Sequence, residues 1–144
     1  MRETTVLIVE DDESIRQGLI DALDFAGYKT HAFHTGPEGL AGAIELPVDL
    51  VLLDVMMPRM SGFEVCQKIK ANPNTRDLVI VMVTALNEVP DYERAVESGT
   101  DDFLSKPVNK LELLTRVKSL LRVRLLRKKL DVLLEEQKGT HGSS

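Results

Sequence analysis

The sequence predicts an α/β protein built on a parallel sheet with helices on both faces, and three observations predict it. Short, nearly unbroken apolar runs recur along the chain: VLIV at 6–9, VDLVLL at 48–53 and LVIVMV at 78–83. Stretches with apolar residues at helical spacing separate them, and glycine, proline and asparagine fall at the junctions. A strand that is apolar on both faces belongs inside a sheet, and strand–helix alternation supplies the helices that cover it.

Each element has its own signal. Val6 to Val9 reads as a buried strand. Ser14 to Ala26 reads as a helix, with Ile15, Leu19, Ala22, Leu23 and Ala26 on one face and Gly27 as its stop. Tyr28 to Phe33 is a weaker strand. Pro37 to Leu46 is a helix with proline in its first turn. Val48 to Leu53 is the third strand, Phe63 to Ala71 the third helix, and Asn72-Pro73-Asn74 breaks it. Leu78 to Val83 is the fourth and most apolar strand. Asp91 to Glu97 is a helix ended by Gly99, Asp102 to Leu104 a short fifth strand, and a long helix begins at Leu111. Five strands alternating with five helices suit the flavodoxin-like, doubly wound (βα)5 arrangement with order 2-1-3-4-5.

In such sheets ligands bind beyond the carboxyl ends of the strands, at the switch point between strands 1 and 3. Those ends carry Glu10-Asp11-Asp12 and Asp54. Asp12 and Glu13 read as acids at a helix N-terminus, where the dipole favours them. Glu10 and Asp11, directly after Val9, read as ligands for a hard divalent cation such as Mg2+. Asp54 is the candidate nucleophile, because a carboxylate can attack phosphorus and form an acyl phosphate. A third metal ligand without covalent chemistry is the alternative. Thr84 ends the fourth strand and can donate to a phosphoryl oxygen, or simply cap a turn. Lys106 follows the fifth strand and can pair with the acids or with a phosphate; its plain reading is a surface lysine. A cis Lys106-Pro107 bond would aim it inward.

Composition narrows the classes. The chain has 144 residues, 43% hydrophobic and 28% charged, with a net charge of −5. That is enough apolar material for one domain with a tail, and it offers no basic footprint for nucleic acid. The single cysteine, Cys66, excludes an internal disulfide, fits a reducing cytoplasm, and reads as a small buried hydrophobe. No apolar run is long enough to span a membrane, and the N-terminus lacks the character of a secretory signal.

With these residues placed, the chain resembles the receiver domain of bacterial two-component response regulators. The segments VLIVEDDESIR, LVLLDVMMPRMSGFEVC, IVMVTAL and GTDDFLSKPV carry the likeness, which covers roughly residues 4 to 121. The resemblance implies that Asp54 accepts a phosphoryl group from a histidine kinase or phosphotransfer protein. It implies that Mg2+ is held by Asp11 directly, Glu10 through water, Asp54, and the backbone carbonyl of Met56. Thr84 and Lys106 match the residues that hold the phosphoryl group. Phe103 matches a switch aromatic, where phenylalanine replaces the commoner tyrosine. Phosphorylation then biases the face made by helix 4, strand 5 and helix 5.

Met56 and Leu86 lie two residues past Asp54 and Thr84, and neither can orient an attacking water, which predicts slow self-dephosphorylation. A Mg2+-dependent phosphohydrolase with an aspartyl intermediate is a competing reading, but it needs an acid where Met56 stands. A dimerisation scaffold that is never phosphorylated is another, and the full set of Asp54, Thr84 and Lys106 speaks against it.

The division expected is a receiver over 1–121, a helical extension over 122–138, and a flexible end or cloning scar over 139–144. On the last helix Leu111, Leu114, Val117 and Leu121 are spaced to pack on the sheet. Val123, Leu126, Leu130 and Leu133 then step by 3, 4 and 3, a coiled-coil seam of about two heptads. A homodimer is expected, in parallel through that seam and/or through the face made by helix 4, strand 5 and helix 5. Arg122, Arg124, Arg127, Lys128 and Lys129 read as a solvated helix face. The segments VTALNEVPD and VKSLLRVRLLRKKL are similar to receivers fused to cyclic-di-GMP synthases and phosphodiesterases.

Overall fold

The computed structural model describes residues 3–85 and 89–142. Ten elements alternate: β1 (Thr5–Val9), α1 (Glu13–Phe25), β2 (Lys29–Phe33), α2 (Gly36–Glu45), β3 (Leu50–Asp54), α3 (Gly62–Ala71), β4 (Val79–Thr84), α4 (Val89–Ser98), β5 (Asp102–Ser105) and α5 (Lys110–Gly142). All strand pairs are parallel and the sheet order is β2-β1-β3-β4-β5, as the sequence predicts. Every residue of β1, β3 and β4 is buried, whereas the edge strand β2 is only partly so. That contrast is why β2 is the weaker strand signal in the sequence.

Alternation along the strands divides the core in two. Leu7, Val9, Val51, Leu53, Ile80 and Met82 face α2, α3 and α4, meeting Ala43, Val65, Ile69 and Ala95. Val6, Ile8, Leu50, Leu52, Val79 and Val81 face α1 and α5, meeting Leu19, Leu23, Leu113 and Val117. Side chains from Asp12, Thr35 and Ser61 cap α1, α2 and α3, each accepting from the backbone N–H three residues on. Gly27, with φ of +92°, turns the chain out of α1 through a conformation that costs other residues more. On α2 the glycines lie against the sheet. A Cβ at Gly39 would come within 2.5 Å of Val9, and one at Gly42 within 2.6 Å of Phe33.

Three expectations are corrected. Ala26 is exposed, because the helix ends at Phe25 and the chain is already turning at its cap. Leu111 is 76% exposed, and Leu113 takes its place in the core. The helix begins at Lys110 under an Asn109 cap, and two residues are about 200° of helix, so Leu111 and Leu113 face opposite ways. Arg124 is buried, not solvated. Leu113, Val117 and the partly buried Leu120 and Leu121 mark the inward face, and one turn further on that face falls Arg124, where carboxylates receive it.

The last helix also continues to Gly142, past the expected break at Lys138. Glycine is a poor helix former, but an existing helix extends without a new nucleation cost. Val123, Leu126, Leu130 and Leu133 are all solvent-exposed along it. Among the described residues, no helix is long and apolar enough to cross a membrane.

Candidate functional site

The carboxyl ends of β1, β3, β4 and β5 converge. Glu10 follows β1 and is buried, held between strands where an unpaired charge is costly. Asp54 is the last residue of β3, paired in register with Val83 of β4, and is 3% exposed. Thr84 ends β4 and is buried. Lys106 follows β5, and its backbone N–H donates to the Thr84 carbonyl at 3.0 Å. The Lys106-Pro107 bond is cis.

Charge organises the cluster. Lys106 Nζ lies 2.8 Å from Glu10 Oε1 and 3.1 Å from Asp54 Oδ1. The contact to Asp54 is a hydrogen bond, and that to Glu10 Oε1 is a close ion pair. Glu10 Oε2 accepts from the Asp12 N–H. Burial, followed by the hydrogen bond and charge of Glu10, raises the Asp54 carboxyl to about 7, against a smaller opposing pull from Lys106. Burial works against the Lys106 charge, but its carboxylate partners outweigh it and raise its pKa. The site thus holds excess negative charge that one lysine does not cancel.

Glu10, Asp11 and Asp54 each bring a carboxylate oxygen within 4.8 Å of the others, two from buried residues and one from the exposed Asp11. Hard divalent cations are bound by such oxygens. Glu10 Oε1 is buried without a hydrogen bond, so it keeps lone-pair capacity for a cation. The residues therefore fit Mg2+.

The remaining sequence candidates lie around this centre. Met56 is 75% exposed on the loop after β3. Phe103 is on β5 beside Met82, half-buried and packed against the core. Leu86 lies outside the described residues. Cys66 is fully buried and its thiol donates to the Ser98 carbonyl at 3.3 Å, with burial raising its pKa.

Sequence reasoning missed Gly62. A Cβ there would sit 2.3 Å from the Asp54 carbonyl oxygen, so the start of α3 rests directly on the backbone that carries Asp54. The signal was present as Ser61-Gly62, a cap followed by a residue with no side chain.

A family model for the response regulator receiver domain matches residues 6–118. The chain belongs to the response regulator receiver family. This receiver is 39% identical over 117 residues to the DNA-binding dual master transcriptional regulator RpaA of Synechocystis, covering 81% of the chain and 48% of that protein. It is 41% identical over 121 residues to the response regulator PleD of Caulobacter vibrioides, covering 84% of the chain and 27% of that protein. The receiver therefore spans about half or less of these relatives. Among solved structures it resembles the receiver domain of the sensor histidine kinase PA1611 of Pseudomonas aeruginosa. That match has a TM-score of 0.78 and 25% identity, covering 83% of this chain and 98% of that one. The PA1611 domain has a magnesium ion coordinated in its active-site cleft.

Proposed function

We propose that this receiver is the phosphoacceptor of a two-component system, with Asp54 taking a phosphoryl group from a histidine kinase or phosphotransfer protein. The observation that supports this is the convergence of Asp54, Glu10, Thr84 and Lys106 at one strand-end cluster. An Asp54 oxygen forms the new bond to phosphorus as the bond to the donor breaks, and the donor leaves with the electron pair. Lys106 releases Glu10 and Asp54 to meet the phosphoryl oxygens, and the Thr84 hydroxyl donates to another. Asp11, Asp54, the Met56 carbonyl and, through water, Glu10 would hold Mg2+, which supplies positive charge against the transferring group.

Phosphorylation adds charge and acceptor oxygens to a buried place. Thr84 moves toward them, Phe103 turns inward, and the α4–β5–α5 face changes. The chain turns over no substrate other than its own phosphoryl group. A reducing cytoplasm suits its kinase partner and its free cysteine. The exposed seam of α5 pairs with a second copy, and the helix passes the switched state to an output domain. The likeness to PleD supports a response-regulator output of that kind.

Incubation with Mg2+ and a small phosphodonor, or with beryllofluoride, tests the central reading. Wild type gains the mass of one phosphoryl group from the donor, or binds beryllofluoride, and Asp54→Asn does neither. Failure of wild type to do either sinks the proposal.

A further inference from the structure

At the floor of the sheet, opposite the site, a second charged cluster involves α5. Arg124 is 8% exposed, and among the described side chains of that helix it is the last to lie inside the protein. Its Nη1 donates to the Asp77 carbonyl at 2.6 Å and lies 3.4 Å from Asp77 Oδ2. Its Nε lies 3.6 Å from Asp49 Oδ1. Asp49 Oδ2 in turn accepts from the Thr5 N–H at the start of β1.

The two carboxylates stand at particular places. Asp49 directly precedes β3, the strand that ends at Asp54. Asp77 lies two residues before β4, the strand that ends at Thr84. One arginine therefore holds the lower ends of the strands whose upper ends carry the phosphoacceptor and the hydroxyl beside it. Its grip is incomplete. Nε is buried without a hydrogen bond, and 3.6 Å lies beyond the ~3.2 Å at which an N–H donates well. A buried unsatisfied donor is costly, so a small relative shift of β3 and α5 that closes this gap has a free-energy gain to follow. A switch element needs two arrangements, and closing this gap would supply the second.

Beyond Arg124, residues 125–138 are exposed. That stretch is a lever of roughly 20 Å, and a tilt of about 10° at Arg124 carries its end by roughly 4 Å. The seam residues Val123, Leu126, Leu130 and Leu133 lie at least about 100° around the helix from Arg124, so the clamp also fixes which way the seam points.

We propose that Arg124 is a positioning residue that couples β3 and β4 to the direction of the α5 lever, relaying the state of the Asp54 site to whatever the helix meets. This rests on the phosphoacceptor reading of Asp54.

The test uses the whole chain with nitroxides at Gln17→Cys and Glu135→Cys, diluted with unlabelled protein, before and after Mg2+ and beryllofluoride. Electron–electron distances should shift by about 3 Å in wild type. With Arg124→Met, beryllofluoride binding persists while the shift falls below a third of that. Asp77→Asn, at an exposed partner, should reduce the shift without threatening the fold. An unchanged shift in both variants overturns the proposal, as does a wild type that binds beryllofluoride with no shift. A wild type that binds none overturns the phosphoacceptor reading and the relay with it.

Discussion

Lys106 Nζ donates a 3.1 Å hydrogen bond to Asp54 Oδ1, joining residues fifty-two positions apart. The lysine pulls the Asp54 carboxyl downward while burial and Glu10 push it up. Lys106→Ala should raise that carboxyl further and remove a charge aimed at the phosphoryl oxygens. Phosphoryl uptake from a small donor should slow on the order of 10²-fold, followed by intact mass. Uptake at the wild-type rate refutes the role given to Lys106.

Metal-free stability should depend on pH through Asp54. Its carboxyl rises from 3.8 to about 7 on folding, so the folded chain holds that proton more tightly than the unfolded one. Stability from this group is fully present below pH 3.8 and is lost as pH rises through about 7. With a chelator present, Asp54→Asn should be more stable than wild type at pH 8, and the gap should narrow toward pH 5. Urea unfolding at both values measures it; a gap that widens on acidification contradicts the argument.

Gly62→Ala should cost about 1–3 kcal/mol, since a methyl 2.3 Å from the Asp54 carbonyl oxygen must displace backbone. Phosphoryl uptake should fall with it, because the displaced backbone carries Asp54. Gly18→Ala is the control: nothing lies within 4 Å of its Cβ, and alanine favours the helix. Equal effects at the two sites would remove the packing explanation.

The acyl phosphate should persist for minutes or longer. Met56 is apolar and 75% exposed, and it cannot hold a water in line for attack. Met56→Asn should shorten the lifetime about tenfold, read as loss of phosphoryl mass after the donor is removed. Decay within seconds in wild type counts against this account.

The sheet was legible because its signal is local. Strands buried on both faces leave unbroken apolar runs, so β1, β3 and β4 announce themselves and fix Glu10, Asp54 and Thr84 at their ends. Helical phase was harder. Leu111 and Leu113 both belong to leucine-rich spacing, and only the cap at Asn109 decides which faces the sheet. Arg124 was unreadable in sequence because it sits among four other cations, and its burial depends on Asp49 and Asp77, distant in the chain. Gly62 was missed for the same reason: its role is a contact with a strand, not a property of its own helix.

The glycines of α2 give the molecule a mechanical asymmetry. At Gly39 and Gly42 that helix presents only backbone to the side chains of Val9 on β1 and Phe33 on β2. On the helix side of those contacts there is no rotamer to change and no room for even a methyl group. The α2 flank therefore acts as a stator. Strain introduced at the strand ends has to be discharged across the other flank, so the direction in which this protein yields is written partly by the residues that have no side chains.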